Sequence, residues 1–304
     1  MIFSLQNSIN QQLKLVEANG LNLFIKREDA IHLFVSGNKY RKLKYNLIEA
    51  EKQGLKTLVT FGGAYSNHVA AVASAGKQLG FNTIGYIRGE ELHASISSNP
   101  TLNFAHACGM QLQFISRADY RKKSTADFIN QLKVCHGNFY LIPEGGTNKL
   151  AIKGCEEILN EADKHFDYIC CAVGTGGTIA GLINCSKPSQ QVLGFPALKG
   201  DFLQQDISKF AVTDNWKLIT DYHFGGYAKI NSELISFINQ FKASQNILLD
   251  PIYTGKMMFG IFDLIKKGYF PKGSNILAIH TGGLQGVAGM NLKLKKKNLP
   301  IIKI

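Results

Sequence analysis

No two cysteines of this chain stand at CxxC spacing, and no His/Cys cluster has the pattern of a zinc site. The thiols (Cys108, Cys135, Cys155, Cys170, Cys171 and Cys185) therefore point to neither a disulfide framework nor a structural metal. Three of them lie in or beside apolar stretches, where a thiol behaves as a small hydrophobe. HExxH and calcium-loop patterns are missing too, so metal catalysis is not expected. No apolar run approaches the roughly 20 residues that would span a membrane. The opening MIFSLQNSINQQLKL has no basic patch, apolar core and small-residue cleavage site of a signal peptide, and a cytoplasmic location is the expectation. Acidic residues are scarce: 22 Asp and Glu against 34 Lys and Arg leave a net charge of +12. Part of that excess is the run Lys293, Lys295, Lys296 and Lys297, which reads as a solvated terminal segment. Without an aromatic-interleaved basic motif beside it, a nucleic-acid partner is not expected. The remaining positive charge suits an anionic cofactor or substrate.

What the chain does contain is a repeating succession of short β-rich runs and helix-like segments. The strand-like runs are 58–63, 82–89, 111–116, 138–146, 168–174, 191–198 and 275–283. Helices are expected at 41–53, 66–79, 98–108, 125–136, 149–164, 178–186, 232–243 and 257–267. Such alternation predicts an α/β protein with parallel-rich twisted sheets covered by helices on both faces. Its 304 residues, 45% apolar and 18% charged, suffice for one large or two medium domains with real cores. Several strands end in glycine, where α/β proteins turn into ligand loops.

Three of those loops carry chemistry. Gly174-Thr175-Gly176-Gly177-Thr178 follows the apolar strand YICCAV and precedes a helix. Glycines let several backbone N–H groups converge on one anion, the helix start adds its positive dipole end, and two threonine hydroxyls can donate. The dinucleotide fingerprint fails because Ile179 occupies its third glycine, and Gly255-Lys256-Met257 fails the Walker pattern. A single phosphate is favoured over a dinucleotide, which disfavours a dehydrogenase; the same loop could also be only a tight turn. Phe61-Gly62-Gly63-Ala64-Tyr65-Ser66-Asn67-His68 ends a strand and opens a long apolar helix, with Ser66 placed as an N-cap and Asn67 able to face a ligand. It is not a GxSxG elbow, so a serine hydrolase lacks its main support. His68 on that first turn reads as a surface or hydrogen-bonding residue. The third loop is His280-Thr281-Gly282-Gly283.

The lysine candidate is Lys39, in Ser36-Gly37-Asn38-Lys39-Tyr40-Arg41-Lys42-Leu43. A lysine that attacks a carbonyl must be neutral, and partial burial and nearby cations such as Arg41 and Lys42 both lower its pKa. The alternative is one member of a solvated basic patch.

KREDAIHLFVSGNKYRKLKY, FGGAYSNH, VGTGGT, DPIYTGK and HTGG occur together in this order. The chain thereby resembles the pyridoxal-phosphate (PLP) dependent 1-aminocyclopropane-1-carboxylate deaminase/D-cysteine desulfhydrase family, of the tryptophan-synthase-β-like fold type II, over roughly residues 20 to 290. The resemblance implies that Lys39 carries PLP as a Schiff base. It puts Asn67 near the cofactor's 3′-oxygen, Ser66 near the substrate carboxylate or reacting carbon, and Gly174 through Thr178 on the phosphate, with Asn38 among the cofactor-binding residues. Tyr253 and Tyr227 match family active-site tyrosines; ordinary core packing is the other reading of both. The loop reads GTGGT where GSGGT is commoner, and NSINQQLKL stands where a proline-containing segment near the substrate is usual.

Deaminases that open the cyclopropane ring carry Glu after the PxY tyrosine, near the pyridine nitrogen, whereas this chain has Thr254, as desulfhydrase-like members do. A neutral hydroxyl supports a shallower electron sink than a carboxylate, and loss of a β-thiol asks less of that sink than opening a carbon ring. The expected activity is therefore that of a lyase/deaminase. β-Elimination on a small amino acid, D-cysteine first, would proceed through an aminoacrylate to pyruvate, ammonia and sulfide, with Thr254 or Thr281 as the neutral partner at the ring nitrogen. The alternatives are a true 1-aminocyclopropane-1-carboxylate deaminase and, from another class, a non-catalytic PLP-binding or basic nucleic-acid-binding protein. The resemblance further implies a homodimer. It also implies a small domain, 49–147, set into a larger PLP-binding domain made of 1–48 and 148–304.

Overall fold

Parallel pairing dominates both sheets of the computed structural model, which describes residues 4–14, 20–35 and 37–304. The first sheet contains β1 (Asn10–Gln12), β2 (Asn22–Lys26), β7 (Tyr168–Val173), β8 (Gln191–Pro196), β9 (Trp216–Leu218) and β10 (Asn275–Ile279), in the order β1-β2-β10-β7-β8-β9. Only the β1–β2 edge is antiparallel. The second contains β3 (Thr57–Gly62), β4 (Asn82–Arg88), β5 (Gln111–Ile115) and β6 (Tyr140–Ile142), all parallel, in the order β5-β4-β3-β6. Central strands such as β7, whose residues after Tyr168 are all buried, read as continuous apolar runs because helices cover both faces.

The helices are α1 (Asn38–Lys52), α2 (Asn67–Leu79), α3 (Pro100–Ala107), α4 (Arg117–Arg121), α5 (Ala126–His136), α6 (Lys149–Glu156), α7 (Gly177–Cys185), α8 (Phe202–Ser208), α9 (Ser232–Gln245), α10 (Thr254–Lys266) and α11 (Gly286–Lys296). Their starts follow local chemistry. Asn99 accepts from the N–H groups of Thr101 and Leu102 with Pro100 at the first helical position, and Asn148 and Asn231 cap α6 and α9 in the same way.

Four expectations from the sequence are corrected. The helix expected at 41–53 starts at Asn38, which puts Lys39 on its first turn. The helix expected over 149–164 stops at Glu156. Asn160 then opens a separate 3₁₀ turn in which Asp163 accepts from the Asn160 N–H, leaving the Asp163 carboxylate to meet the buried Lys26 ammonium at 2.8 Å. The run 138–146 is a strand only to Ile142; Glu144–Gly146 turn, with Gly145 and Gly146 at φ +68° and +73°. Lastly, the lysine-rich end is not a loose segment. It forms α11, whose Met290 and Leu294 are buried with Ile302 beyond it, and the Lys293 ammonium sits 4.3 Å from the centre of the Tyr65 ring. The lysine run is nonetheless exposed, as a solvated face should be.

Two glycines decide how closely the helices around Lys39 approach. A Cβ on Gly154 of α6 would fall 1.9 Å from the Arg41 carbonyl oxygen of α1, and one on Gly181 of α7 would fall 2.5 Å from Cys155. Only residues without a side chain allow α1, α6 and α7 to stack in backbone contact. That stack places the first turn of α1 beside the first turn of α7. The thiols of Cys155, Cys170 and Cys171 are buried in the same region, and burial pushes Cys155 up to about 11. None of the described cysteines is in a disulfide. No described helix is long and apolar enough to cross a membrane.

Candidate active site

The sequence motifs meet at the carboxyl ends of the strands. Gly37, at φ +57°, lies so close to the third glycine loop that a Cβ would fall 2.1 Å from the Thr281 carbonyl oxygen, and the Asn38 N–H reaches that oxygen at 3.3 Å. Ser36, which precedes it in the motif, lies outside the described residues. The Asn38 side chain donates to the Thr178 hydroxyl at 2.9 Å, tying the start of α1 to the start of α7. Gly283 leaves room for Asn67, whose amide would meet a Cβ there at 2.5 Å. A Cβ on Gly174 would touch the Tyr253 ring at 3.1 Å. Tyr253 in turn meets Tyr227 edge-on, ring centres 6.3 Å apart. Tyr227 is exposed on its outer side.

Lys39 forms no ion pair among the described residues. Burial, and then the Lys42 cation one turn later, push its ammonium down to about 7. The free amine is therefore well populated near neutrality. The rate at which the protein takes up an aldehyde at this lysine should rise with pH through about 7 and then level off. An unperturbed lysine would keep accelerating toward about 10.4. Rapid-mixing absorbance of apoprotein with PLP across pH 5.5–10 (a range of about that width spans both pKa values) reads the inflection directly; one near 10 would contradict the placement.

Sequence reasoning assigned Lys42 only an electrostatic influence, and the structure gives it more. Its ammonium is buried and donates to the Gly145 carbonyl at 3.0 Å, to Thr147 Oγ1 at 3.0 Å and to Thr175 Oγ1 at 3.3 Å. Among the described residues no carboxylate accompanies this cation, and burial lowers its pKa. Thr147 and Thr175 share a hydrogen bond at 2.6 Å. The first N–H groups of α7 lack intrahelical acceptors and Gly176 turns the loop at φ +81°. The result is a cradle of N–H groups, hydroxyls and one ammonium at a helix start, suited to a phosphate. The sequence signal was the spacing: positions 39 and 42 are i and i+3 on one helix face.

On the second loop, Ser66 caps α2, accepting from the Val69 N–H at 3.3 Å. Asn67 Oδ1 is buried without a hydrogen-bond partner, an arrangement expected where a ligand completes the set. Of the two readings of His68, the hydrogen-bonding one holds and the surface one does not: it is buried, bonded to the Thr60 hydroxyl at 2.8 Å, and held neutral by burial and by nearby positive charge at Lys39 and Lys42.

Thr254 departs from its expected role. It is fully buried, gives its hydroxyl proton to Asp250 at 2.8 Å and accepts from the Asp250 N–H at 2.9 Å. Asp250 also accepts from the N–H groups of Ile252, Tyr253 and Thr254, so this pair fixes the turn that starts α10 and aims Tyr253. With its proton so engaged, the Thr254 hydroxyl has none to donate to a cofactor. Thr254→Val should cost roughly 1–3 kcal/mol in urea denaturation while the protein still takes up PLP; lost uptake at unchanged stability would instead put the hydroxyl on the cofactor. Tyr253 itself stays protonated, since burial and the Tyr227 ring raise its pKa well above the usual phenol value.

A lysine whose amine is freed near neutral pH, a phosphate cradle and an unpaired buried polar atom, gathered at the strand ends of a two-sheet α/β fold, define an enzyme built for a phosphorylated carbonyl cofactor. The chain belongs to the family of pyridoxal-phosphate dependent enzymes, which residues 8–282 match. It is similar to a bifunctional D-cysteine desulfhydrase/1-aminocyclopropane-1-carboxylate deaminase of Arabidopsis thaliana, 34% identical with 88% of this chain and 74% of that protein covered. A D-cysteine desulfhydrase of Serratia proteamaculans is 29% identical, with 87% of each covered. Among solved structures, that of an ACC deaminase homologue superposes with a TM-score of 0.82 at 28% identity, covering 95% of this chain and 93% of that one. The fold is accordingly fold type II, and the cofactor is PLP.

Proposed function

We propose that this enzyme acts on a small amino acid by β-elimination, with D-cysteine the leading substrate and pyruvate, ammonia and sulfide the products. The observation that supports the choice is position 254, where a threonine turned toward Asp250 stands in place of the glutamate of ring-opening deaminases. PLP, when bound, supplies an electron sink for the carbanion formed at the substrate's α-carbon. The remaining work falls to the chain. Lys42, Thr175 and the N–H groups of Gly174 through Thr178 would hold the phosphate, with Asn38 bracing Thr178. Asn67, with its unpaired Oδ1, would face a bound cofactor, and Thr281 would be the neutral partner for the ring nitrogen. Lys39, whose free amine is well populated near pH 7, would take the α-proton. Ser66 positions the substrate carboxylate, and the protonated phenol of Tyr253, backed by Tyr227, can protonate the departing thiolate. Water enters only after the elimination, so the reaction is that of a lyase.

A second reading, opening of 1-aminocyclopropane-1-carboxylate to 2-oxobutanoate and ammonia, is favoured by the bifunctional relative. Parallel assays of PLP-loaded protein on both substrates decide between them. Sulfide and pyruvate from D-cysteine with no 2-oxobutanoate from the cyclopropane is the expected result, and the reverse pattern would replace the proposal with the second reading. We also read 49–147 as a small domain set into the larger one formed by 1–48 and 148–304, supported by the confinement of β3–β6 to residues 57–142, and expect a homodimer.

A further inference from the structure

A concavity of about 590 Å³ lies at the carboxyl ends of β3, β4, β5 and β6. Arg88, Arg117, Arg121 and Lys123 face it, against one carboxylate, Glu144. Two of these cations are already satisfied: Arg117 pairs with Glu91 at 2.5 Å and Lys123 with Glu144 at 3.1 Å. Arg88 and Arg121 have no carboxylate partner among the described residues. The Tyr120 hydroxyl donates to Glu144 at 2.7 Å, which fixes the ring on which the Arg88 guanidinium rests, 5.5 Å from its centre. Arg88 is thus positioned rather than loose.

The cavity adjoins the proposed substrate site. Gly63 and Ala64 form part of its wall, three residues before Ser66 and Asn67 begin, and Arg88 Nη2 lies 3.9 Å from where a Gly63 Cβ would stand. Arg88 and Glu144 are also close enough to bias the titration of Tyr227. Clustering like charges in a concave wall disfavours the folded chain unless an anion offsets them, and the carboxyl ends of parallel strands are where open α/β sheets bind ligands. Nothing in the proposed elimination of a thiol uses this wall.

We propose that this concavity is an anion subsite, with Arg88 and Arg121 as its principal donors, taking a small oxyanion presented either free or as an acidic group of the amino-acid substrate. Arginine's planar fork matches such groups bidentately. The substrate-borne version rests on the reading of the Lys39 pocket as an amino-acid site; the free-anion version does not.

The test is calorimetric titration of PLP-loaded protein with inorganic phosphate at low ionic strength, cofactor already filling the phosphate cradle. Wild type should bind saturably, and Arg88→Gln/Arg121→Gln should bind about tenfold more weakly or worse, with the visible cofactor spectrum unchanged. No saturable binding by wild type, or equal affinity in the variant, would overturn the subsite. Titration with D-2-amino-4-phosphonobutanoate, an amino acid that bears a phosphonate but has no leaving group on its β-carbon, then separates the sources. Binding tighter than phosphate that the double variant loses assigns a substrate-borne acid, and binding no tighter than phosphate assigns a free anion. Because heat is read rather than turnover, a protein that binds phosphate but leaves D-cysteine unchanged keeps the subsite and removes only the proposed reaction.

Discussion

Replacing Lys39 by Ala is expected to lower turnover of D-cysteine by roughly 10²–10⁴-fold or more and to abolish the visible absorption of lysine-bound PLP. Two losses combine in this variant. The proposed covalent anchor of the cofactor disappears, and with it an amine at the head of α1 whose neutral form is populated near pH 7. Lys42 cannot substitute, because its ammonium is committed to Gly145, Thr147 and Thr175. The phosphate cradle survives the substitution, so PLP should still bind, reversibly and with the spectrum of the free aldehyde. Dialysis would then remove it from the variant but not from wild type. A Lys39→Ala protein that kept both its band after dialysis and its turnover would eliminate Lys39 as the anchor and move the search to another buried amine.

The second large effect concerns stability. Glu28→Ala should lower unfolding free energy by roughly 3–5 kcal/mol, read from the shift of the urea midpoint. Glu28 is fully buried and receives two hydrogen bonds from the Arg41 guanidinium, each at 2.8 Å, where Arg41 is itself nearly buried. Removing the carboxylate leaves that guanidinium in an apolar setting with only Glu157, 3.7 Å away and more exposed, to answer it. Exchanging both partners for apolar residues (Glu28→Met with Arg41→Met) removes the charge as well as its partner, so the double variant should be more stable than Glu28→Ala alone. A double variant as damaged as the single would mean that the pair matters for shape rather than for charge. Because Arg41 lies two residues after Lys39 on α1 and its carbonyl touches Gly154, loosening this pair should also slow PLP uptake.

The legibility of the fold varied by element for physical reasons. β3, β7 and β8 are long, apolar and flanked by glycine or helix caps, so period and punctuation both marked them. β2 went unread because NLFIK is short and ends in Lys26, a charge made tolerable by Asp163, 137 residues away, and by the Asn10 side chain. β9 has three residues and no buried one, and gains its identity from pairing with β8. α11 was taken for a charged tail because lysines dominate its last turn. Its buried side, Val287, Met290 and Leu294, follows the i, i+3, i+7 pattern of an apolar stripe, a signal present in the sequence but outweighed by the charge run. At the proposed site, Lys39, Asn67 and the Gly174–Thr178 loop stood out in the sequence because each belongs to a compact motif. Arg88, Thr147 and Glu144 were not, since no local pattern distinguishes them from solvated polar residues.

By itself the sequence determined the fold class and the family, and it singled out Lys39 and the Gly174–Thr178 loop as the proposed anchor and phosphate site, because each depends on residues adjacent in the chain. Only the tertiary structure decided what Lys42 binds, that Thr254 gives its proton to Asp250, that His68 is buried and that Arg88 and Arg121 line a concavity. Those outcomes depend on groups tens to more than a hundred residues apart, or on backbone turns whose geometry is set by packing. Burial and the local dielectric, which turn a lysine into an amine, exist only once the chain has closed around it.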